Sequence, residues 1–309
     1  MSLAIVFPGQ GSQTIGMMSQ LAQNYPIVKD LYTEASDVLG IDMWQLTQAG
    51  PIEELSKTEN TQPALLIAGV AAWNIWKSEG GALPDLMAGH SLGEYTALVC
   101  SDAISFTDGV TLVRDRGRYM QGAVAEGEGA MAAIIGLTDD EVIRVCAEIA
   151  ENDVLQAVNF NAPGQVVIAG SAAAIERAAP AMKEAGAKRA LALPVSIPAH
   201  SSLMSPASEQ LAERLNGIEV ALPNIPVLHN CNVSFAESAD QVKTNLVTQL
   251  DSPVRWVESV EKMKNEGVEH FVESGPGRVL GGMIKRIARG ATVSTMDNLD
   301  TIQELTKTS

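Results

Sequence analysis

The stretch LMAGHSLGEYTALV, residues 86–99, determines the fold class because it predicts a strand, a sharp turn and a helix in direct succession. Leu86–Gly89 is a short apolar run of the kind that forms a buried strand, and apolar residues recur at helical spacing from Leu92 to Val99. The turn between them, GHSLG, fits a nucleophile elbow, in which a serine occupies a strained strand-to-helix turn and glycines on either side avoid a collision. The same pattern also fits a serine that caps an ordinary helix.

Strand and helix patterns alternate on both sides of this turn, which predicts an α/β fold. Near the N-terminus, a buried-strand pattern ends at the glycine-rich loop PGQGS, residues 8–12. The predicted elements of this larger unit are strands at 3–7, 86–89, 226–229 and 270–273, and helices at 61–77, 92–99, 107–123, 201–215, 242–250, 257–265 and 278–288.

A different pattern, typical of an inserted unit, begins after the stretch EGEG at residues 126–129. Residues 130–195 follow the order strand, helix, strand, strand, helix, strand, which is the split βαβ arrangement of ferredoxin-like folds. We therefore expect a large α/β domain in two parts, residues 1–123 and 197–309. A small ferredoxin-like domain, residues 124–196, would interrupt it, with the functional site in the cleft between them.

Composition excludes several classes of function. The 309 residues carry 21 basic and 37 acidic side chains, a net charge of −16, whereas a general nucleic-acid binder needs a basic surface. A membrane span needs about 20 consecutive apolar residues, and the best run, residues 64–73, reaches about half of that. The first basic residue is Lys29, so the N-terminus does not resemble a secretory leader.

The cysteines and histidines indicate a reduced protein without a metal centre. The cysteines are Cys100, Cys146 and Cys231, and the histidines are His90, His200, His229 and His270. No CxxC pair occurs, which is typical of reduced thiols in the cytoplasm. No two histidines stand at the i, i+4 spacing that presents two imidazoles on one helical face. We therefore expect a cytoplasmic protein that binds no metal.

A serine nucleophile needs a base, and the histidines are the candidates. His90 adjoins Ser91, but consecutive side chains at a strand end face opposite ways. His200 follows the serine, as the chain order of hydrolases requires, and stands just before a predicted helix. His229 and His270 lie on predicted strands, where a packed core histidine is the commoner outcome. Spacing therefore favours His200 over each of the others without deciding the matter.

Arg116 lies on the apolar side of the predicted helix at 107–123. At 100° per residue it falls between Leu112 and Met120, inside the apolar stripe, whereas Arg114 and Arg118 point away from it. A buried guanidinium needs an anionic or strongly accepting partner. That partner is either a buried carboxylate of the protein, in a structural ion pair, or a substrate carboxylate gripped by two parallel hydrogen bonds.

Five motifs together closely resemble the malonyl-CoA:acyl carrier protein transacylases of bacterial fatty acid synthesis. They are FPGQGSQ at 7–13, GHSLGEY at 89–95, Arg116, NFNAPGQ at 159–165 and GPG at 275–277. The similarity extends from the first predicted strand to about residue 288. It implies an α/β-hydrolase-like core with an inserted ferredoxin-like (βαββαβ) subdomain, in agreement with the patterns above.

The resemblance also implies roles for individual residues. It makes Ser91 the acylated nucleophile, His200 its base, and the backbone carbonyl of Gln249 the group that orients the imidazole. The backbone N–H groups of Gln10 and Leu92 would form the oxyanion hole. Substrate-binding positions are Arg116, which would hold the malonyl carboxylate, and the polar residues Gln62, Asn161 and Gln165, which would line the acyl and pantetheine pocket.

The implied reaction moves a malonyl group from malonyl-CoA to the phosphopantetheine thiol of acyl carrier protein through a malonyl-serine, in a ping-pong sequence without a cofactor. We expect a monomer whose partners are an acyl carrier protein and a coenzyme A thioester. Because carrier proteins are usually acidic, docking would need a local basic patch. One candidate cluster is Lys183, Lys188 and Arg189, and the other is Lys285, Arg286 and Arg289.

Two competing interpretations stay open at the level of the sequence. A serine esterase or thioesterase would carry an acid that completes a triad with the histidine, and it would lose the acyl group quickly to water. A non-catalytic module would bind carrier protein without being acylated, and the presence of the serine, the histidine and the arginine argues against it.

Overall fold

The chain folds around two separate sheets, and the computed structural model describes residues 2–307. The strands are β1 (Ser2–Phe7), β2 (Leu86–Gly89), β3 (Gly129–Ile135), β4 (Leu155–Ala162), β5 (Gln165–Ser171), β6 (Arg189–Ala192), β7 (Val227–Leu228), β8 (Val268–Glu273) and β9 (Thr292–Thr295). The first seven helices are α1 (Ser19–Asn24), α2 (Pro26–Leu39), α3 (Met43–Ala49), α4 (Ile52–Leu55), α5 (Thr58–Ser78), α6 (Leu92–Cys100) and α7 (Phe106–Gly122). The others are α8 (Asp139–Ile149), α9 (Ala172–Glu184), α10 (Ser205–Leu215), α11 (Ala239–Asp251), α12 (Trp256–Asn265), α13 (Val279–Ile287) and α14 (Leu299–Lys307), with a 3₁₀ turn at Ser202–Met204.

The larger sheet is parallel, with the strand order β7-β2-β1-β8-β9. Its middle strand, β1, is apolar on both faces, as expected of a parallel sheet that helices cover on both sides. Ile5 and Phe7 pack into the core that includes α5 and α6, whereas Ala4 and Val6 pack into the core that includes α12 and α13. Because β1 and β2 are neighbours in register, the loops that follow them meet at one edge of the sheet.

The second sheet is antiparallel, with the order β4-β5-β3-β6. Helices α8 and α9 cover one of its faces through an apolar cluster that includes Ile134, Val142 and Ile175. Its other face carries Met131, Val158, Val167 and Ala169, against which Leu193, Val195 and Ala199 pack. The βαββαβ order confirms the predicted fold class, while the domain boundaries at 123/124 and 196/197 stay a prediction.

Backbone hydrogen bonds join the two sheets at Val254. Its N–H donates to the carbonyl of Val158 at 2.8 Å, and its carbonyl accepts from the N–H of Phe160 at 3.0 Å. Val254 lies two residues before α12, which packs against the parallel sheet, and both of its partners lie on β4. This attachment ties β4 of the antiparallel sheet to the segment before α12.

Several element boundaries differ from the sequence prediction, and the largest shift at the start of a helix is at α10, which begins at Ser205 rather than at residue 201. Helix α5 begins at Thr58, one turn before the predicted start at residue 61, because side chains of Asn60 and Thr61 hydrogen-bond to the carbonyls of Glu54 and Leu55 and secure that extra turn. Strand β6 ends at Ala192, three residues early, where the chain turns toward the cleft. Strand β9 and helix α14 lie beyond the last predicted element.

Across residues 2–307, no helix is both long and apolar enough to cross a membrane.

Candidate active site

Ser91 occupies the sharp turn between β2 and α6, with φ 51° and ψ −105°. A positive φ is strained for a residue with a Cβ atom. The glycines on either side are required by close backbone contacts. A Cβ at Gly89 would lie 1.9 Å from the carbonyl carbon of Gly93, and one at Gly93 would lie 2.0 Å from the carbonyl oxygen of Phe7. The turn is therefore a nucleophile elbow rather than a simple helix cap, and no side-chain cap bond is made by Ser91.

Asn230 holds this strained turn in place. Its Oδ1 accepts a hydrogen bond of 2.7 Å from the Ser91 N–H, and its Nδ2 donates to the Gly89 carbonyl at 2.7 Å. Asn230 is fully buried, so both bonds are shielded from water. The amide thus offsets part of the strain, which costs about 1–3 kcal/mol for a residue in such a region.

His200 is the histidine that reaches the serine. Its Nε2 lies 2.8 Å from Ser91 Oγ, and its Nδ1 lies 2.7 Å from the backbone carbonyl of Gln249. Because a carbonyl only accepts, Nδ1 carries the proton and Nε2 is left to accept from the serine hydroxyl. The esterase interpretation expected an acid at Nδ1, and the structure places a carbonyl there instead.

His200 is 3% exposed, and its ionisation is strongly perturbed. Burial, together with the positive charge of Arg116, lowers the pKa of His200 to about 3 from the ordinary 6.5. The imidazole is therefore neutral at physiological pH and available as a proton acceptor. The other three histidines have other partners: His90 pairs with Asn161, His229 with Glu94 and His270 with Ser294.

This depressed pKa predicts a dependence of stability on pH. Unfolding returns the pKa of His200 to about 6.5, so the unfolded chain binds the extra proton between pH 6.5 and 3 and the folded chain does not. Stability is therefore full above pH 6.5 and falls with decreasing pH, by about 1.4 kcal/mol per pH unit from this group. Urea unfolding at pH 7 and pH 5 should show a smaller loss for His200→Gln than for the wild type. An equal loss in both proteins would contradict the assignment.

Arg116 is 1% exposed and lies against the serine. Its Nη2 donates to Ser91 Oγ at 3.1 Å and to Gln249 Oε1 at 3.0 Å, and its Nη1 donates to Gln62 Oε1 at 2.8 Å. The guanidinium also lies over the ring of Tyr95, 5.1 Å from its centroid. Within residues 2–307 Arg116 forms no ion pair, and its Nε has no hydrogen-bond partner. The hydrogen-bond acceptors around the Arg116 guanidinium are therefore neutral, and its Nε–H donor has no partner in that range.

A cavity of about 830 Å³ opens between the two sheets and contains this cluster. Its lining includes residues of both parts of the chain: Gln10, Gln62, Ser91, Leu92, Arg116, Met131, Asn159, Leu193 and His200. The backbone N–H groups of Gln10 and Leu92 have no protein acceptor in the described chain. Two free donors thus border the same cavity as the serine, one of them at the N-terminus of α6, where the helix dipole favours negative charge.

Two predicted pocket residues lie outside this lining. Asn161 is turned toward His90, with 2.7 Å between Oδ1 and the histidine Nε2. Gln165 accepts a hydrogen bond of 2.6 Å from Arg286 at the surface. Asn159 lines the cavity instead, with its Oδ1 buried and unpaired among the described residues.

Sequence reasoning also missed the buried polar residues behind the serine, Glu94, Asn230 and the side chain of Gln249. One signal was present, because Glu94 is the only charged residue in an otherwise uncharged helix, α6. No group of three or more histidine, cysteine or acidic side chains within residues 2–307 is arranged to hold a metal ion.

The fold, the elbow serine and the buried arginine together define an acyl transferase domain. The family model with that description, "Acyl transferase domain", matches residues 4–302. The chain is 55% identical over 294 residues to the malonyl CoA-acyl carrier protein transacylase of Escherichia coli K12, covering 95% of each protein. The chain belongs to this transacylase family.

Solved structures agree with the sequence comparison. An acyl carrier protein S-malonyltransferase from Vibrio cholerae superimposes with a TM-score of 0.97 at 50% identity, covering 99% of this chain and 100% of the other. A malonyl-transacylase in complex with a type II PKS acyl-carrier protein superimposes with a TM-score of 0.99 at 50% identity over the full length of both chains.

Proposed function

We propose that this chain transfers the malonyl group of malonyl-CoA to the phosphopantetheine thiol of an acyl carrier protein, through a malonyl ester of Ser91. The observation that carries the proposal is the 3.1 Å contact between Arg116 Nη2 and Ser91 Oγ in a buried cavity. A guanidinium beside an acyl-accepting hydroxyl suits an acyl group with a free carboxylate at its far end. The unpaired Nε of Arg116 is a donor that such a carboxylate would satisfy.

In the first half-reaction, His200 Nε2 takes the proton of the Ser91 hydroxyl while Oγ attacks the thioester carbonyl. The N–H groups of Gln10 and Leu92 stabilise the oxyanion, and removal of one such donor costs about 3 kcal/mol. The tetrahedral intermediate collapses, the C–S bond breaks, and His200 returns the proton to the departing CoA thiolate.

The second half-reaction repeats these steps in reverse order. The carrier's thiol gives its proton to His200 and attacks the ester carbonyl, and the serine oxygen leaves with the proton that His200 returns. One thioester is consumed and one is formed, so the net driving force needed is small. The bound carboxylate also opposes the charge of Arg116, which is the second cause, after burial, of the lowered pKa of His200.

The carrier protein would dock on a basic surface made of both candidate clusters, Lys183, Lys188, Arg189, Lys285, Arg286 and Arg289. All six side chains are exposed. Arg286 donates to Gln165 at the start of β5, which pairs with Ile135, and Ile135 pairs in turn with Arg189. The two clusters are therefore neighbours across one end of the antiparallel sheet.

The distance from this basic surface to the cavity suits an extended prosthetic arm. Met131 lines the cavity and Ile135 lies at the basic surface, both on β3. Ile135 lies four positions after Met131, which is roughly 13 Å at the usual rise of a strand. An acidic carrier bound at the surface would therefore have the cavity within reach of its phosphopantetheine thiol.

Reversing charge on this surface should impair docking without touching the chemistry. We expect the double substitution Arg189→Glu and Lys285→Glu to raise the KM for carrier protein about tenfold, because like charges repel at the encounter. Loading of malonyl from malonyl-CoA should change less than twofold. Arg144→Glu, an exposed cation of α8 paired with Glu148, is the control. An unchanged KM would show that the carrier docks elsewhere.

Intact-protein mass spectrometry tests the proposed function directly. After mixing with malonyl-CoA, one malonyl group should appear on Ser91, persist in water, and leave when a pantetheinylated carrier with a free thiol is added. Rapid loss to water would support the hydrolase interpretation, and carrier binding without any adduct would support a binding module.

The proposed reaction needs no cofactor. We expect the enzyme to act in the cytoplasm, where its two substrates, malonyl-CoA and the carrier protein, would be found. The three cysteines are all free thiols, which is consistent with a reducing compartment.

A further inference from the structure

Glu94 is a charged side chain with no exposed surface, located one turn after the elbow serine. Its Oε1 lies 2.7 Å from His229 Nδ1. Its Oε2 accepts from the Asn230 N–H at 2.8 Å and from Gln249 Nε2 at 2.9 Å. A buried carboxylate is retained only where several donors compensate for its lost hydration, and here three donors do so.

The Gln249 side chain connects this carboxylate to the reacting groups. Its Nε2 donates to Glu94 and to the Ser91 carbonyl, at 2.9 and 3.0 Å, while its Oε1 accepts from Arg116 Nη2 at 3.0 Å. A side-chain amide has one acceptor oxygen and one NH₂ group with two donors. If the Gln249 amide rotated by 180°, its NH₂ group would face the Arg116 guanidinium, which is also a donor. Because both carboxylate oxygens of Glu94 face hydrogen-bond donors, the carboxylate favours the one orientation of the amide that serves Arg116.

We propose that Glu94 is a positioning residue that acts through the Gln249 amide to fix the Arg116 guanidinium beside Ser91, and so sets the preference for an acyl group with a free carboxylate. This inference rests on the proposed function, since it assigns Arg116 to the malonyl carboxylate. Glu94 does not touch the substrate.

The same arrangement separates two buried charges that would otherwise pair. A direct ion pair between Glu94 and Arg116 would occupy the guanidinium and leave less of it for a substrate carboxylate. With Gln249 between them, the negative charge still balances the positive one inside the protein, while Arg116 Nε keeps no protein partner in the described chain. The amide bridge therefore keeps the arginine compensated and available.

The test compares the rates at which malonyl-CoA and acetyl-CoA acylate the wild type and the Glu94 variants. Each reaction is quenched at set times, and the acylated fraction is measured by intact-protein mass spectrometry. An acetyl group has no carboxylate to bind the guanidinium, so acetyl loading should depend less than malonyl loading on the position of Arg116. Glu94→Ala should lower malonyl loading about tenfold more than acetyl loading, because the Gln249 amide loses the carboxylate acceptor and is then held only by the Ser91 carbonyl. Glu94→Asp, whose carboxylate is drawn back by one methylene, should show the same selective loss if the alanine variant does not fold.

Glu94→Gln is the rescuing variant, because its amide oxygen can still accept from Gln249 Nε2 while its NH₂ group turns to His229. We expect its ratio of malonyl to acetyl loading to stay within about threefold of the wild type. Gln249→Leu breaks the bridge from the other side and keeps the backbone carbonyl that holds His200, so it should reproduce the selective loss. Glu273→Ala, which truncates a buried carboxylate that caps α13 through Leu280 and Gly281, is the control and should leave the ratio unchanged.

A ratio that stays unchanged in a folded Glu94→Ala or Glu94→Asp protein would overturn the inference, since both rates would then fall through general damage to the elbow. Thermal unfolding of each variant establishes that it is folded. Failure of the wild type to load malonyl would instead reject the proposed function, so the two failures are distinguishable.

Discussion

Ser91→Ala is expected to abolish the malonyl adduct and to lower malonyl transfer by about 10⁴- to 10⁶-fold, the range seen when a nucleophile that works with a histidine base is removed. The alanine has no Oγ for His200 Nε2 to deprotonate across the 2.8 Å contact. Any remaining rate would have to come from direct attack of the carrier thiol on malonyl-CoA held in the cavity. Intact mass after mixing with malonyl-CoA, together with a transfer assay on the carrier, measures both effects.

Ser101→Ala is the matched control for this substitution. Ser101 is a fully buried serine at the other end of α6, and among residues 2–307 its hydroxyl bonds only to the Leu98 carbonyl, so its loss should leave transfer close to the wild type. A malonyl adduct on the Ser91→Ala protein would place the nucleophile elsewhere and would contradict the proposed mechanism.

The backbone of this protein was largely predictable because its elements are defined by local patterns. The strand at Leu86–Gly89 has the predicted bounds, and α7 is shifted by one residue from the predicted 107–123. Where the prediction differed, contacts distant in sequence or irregular geometry decided the outcome. Strand β6 stops early where residues 193–195 line the cavity, which periodicity cannot indicate.

The site was predictable only in part, because its contacts join distant segments. The elbow is local, and the motif GHSLG contains the steric reason for it in its two glycines. The contact between Ser91 and His200 spans 109 positions and that between Arg116 and Gln249 spans 133, so spacing alone left the histidines undecided. The helical pattern did predict that Arg116 is buried, but it left open which group would accept its hydrogen bonds.

The polar residues behind the serine show why a single sequence does not predict all the residues of the site. Asn230 and Gln249 are ordinary amides in the sequence, and only the fold reveals that one holds the strained turn and the other bridges two buried charges. The roles inferred from the resemblance for Asn161 and Gln165 stay predictions, and neither residue is part of the cavity lining. Gln165 instead connects the two basic clusters of the proposed docking surface.

Arg116→Ala is expected to reduce malonyl loading by about 100-fold or more, equal to about 3 kcal/mol, because a buried carboxylate would lose its charged partner. Acetyl loading should fall far less, since acetyl offers no carboxylate to the guanidinium. Single-turnover loading from the two thioesters gives the ratio, and thermal unfolding shows whether the variant is folded. Arg116→Lys should recover little, because one ammonium does not reproduce the planar fork.

Arg114→Ala is the control on the same helix, since that arginine faces away from the cavity and donates to the Leu39 carbonyl. The Arg116→Ala result distinguishes two roles of the guanidinium, which contacts Ser91 Oγ through Nη2 and also lines the cavity. One role is to assist the serine, and the other is to bind the malonyl carboxylate. If malonyl and acetyl loading fall equally, the guanidinium serves Ser91 itself and another group must hold the carboxylate. If malonyl loading alone collapses, the arginine selects the acyl group, and the same elbow and histidine on this fold would accept other acyl groups once that charge is removed.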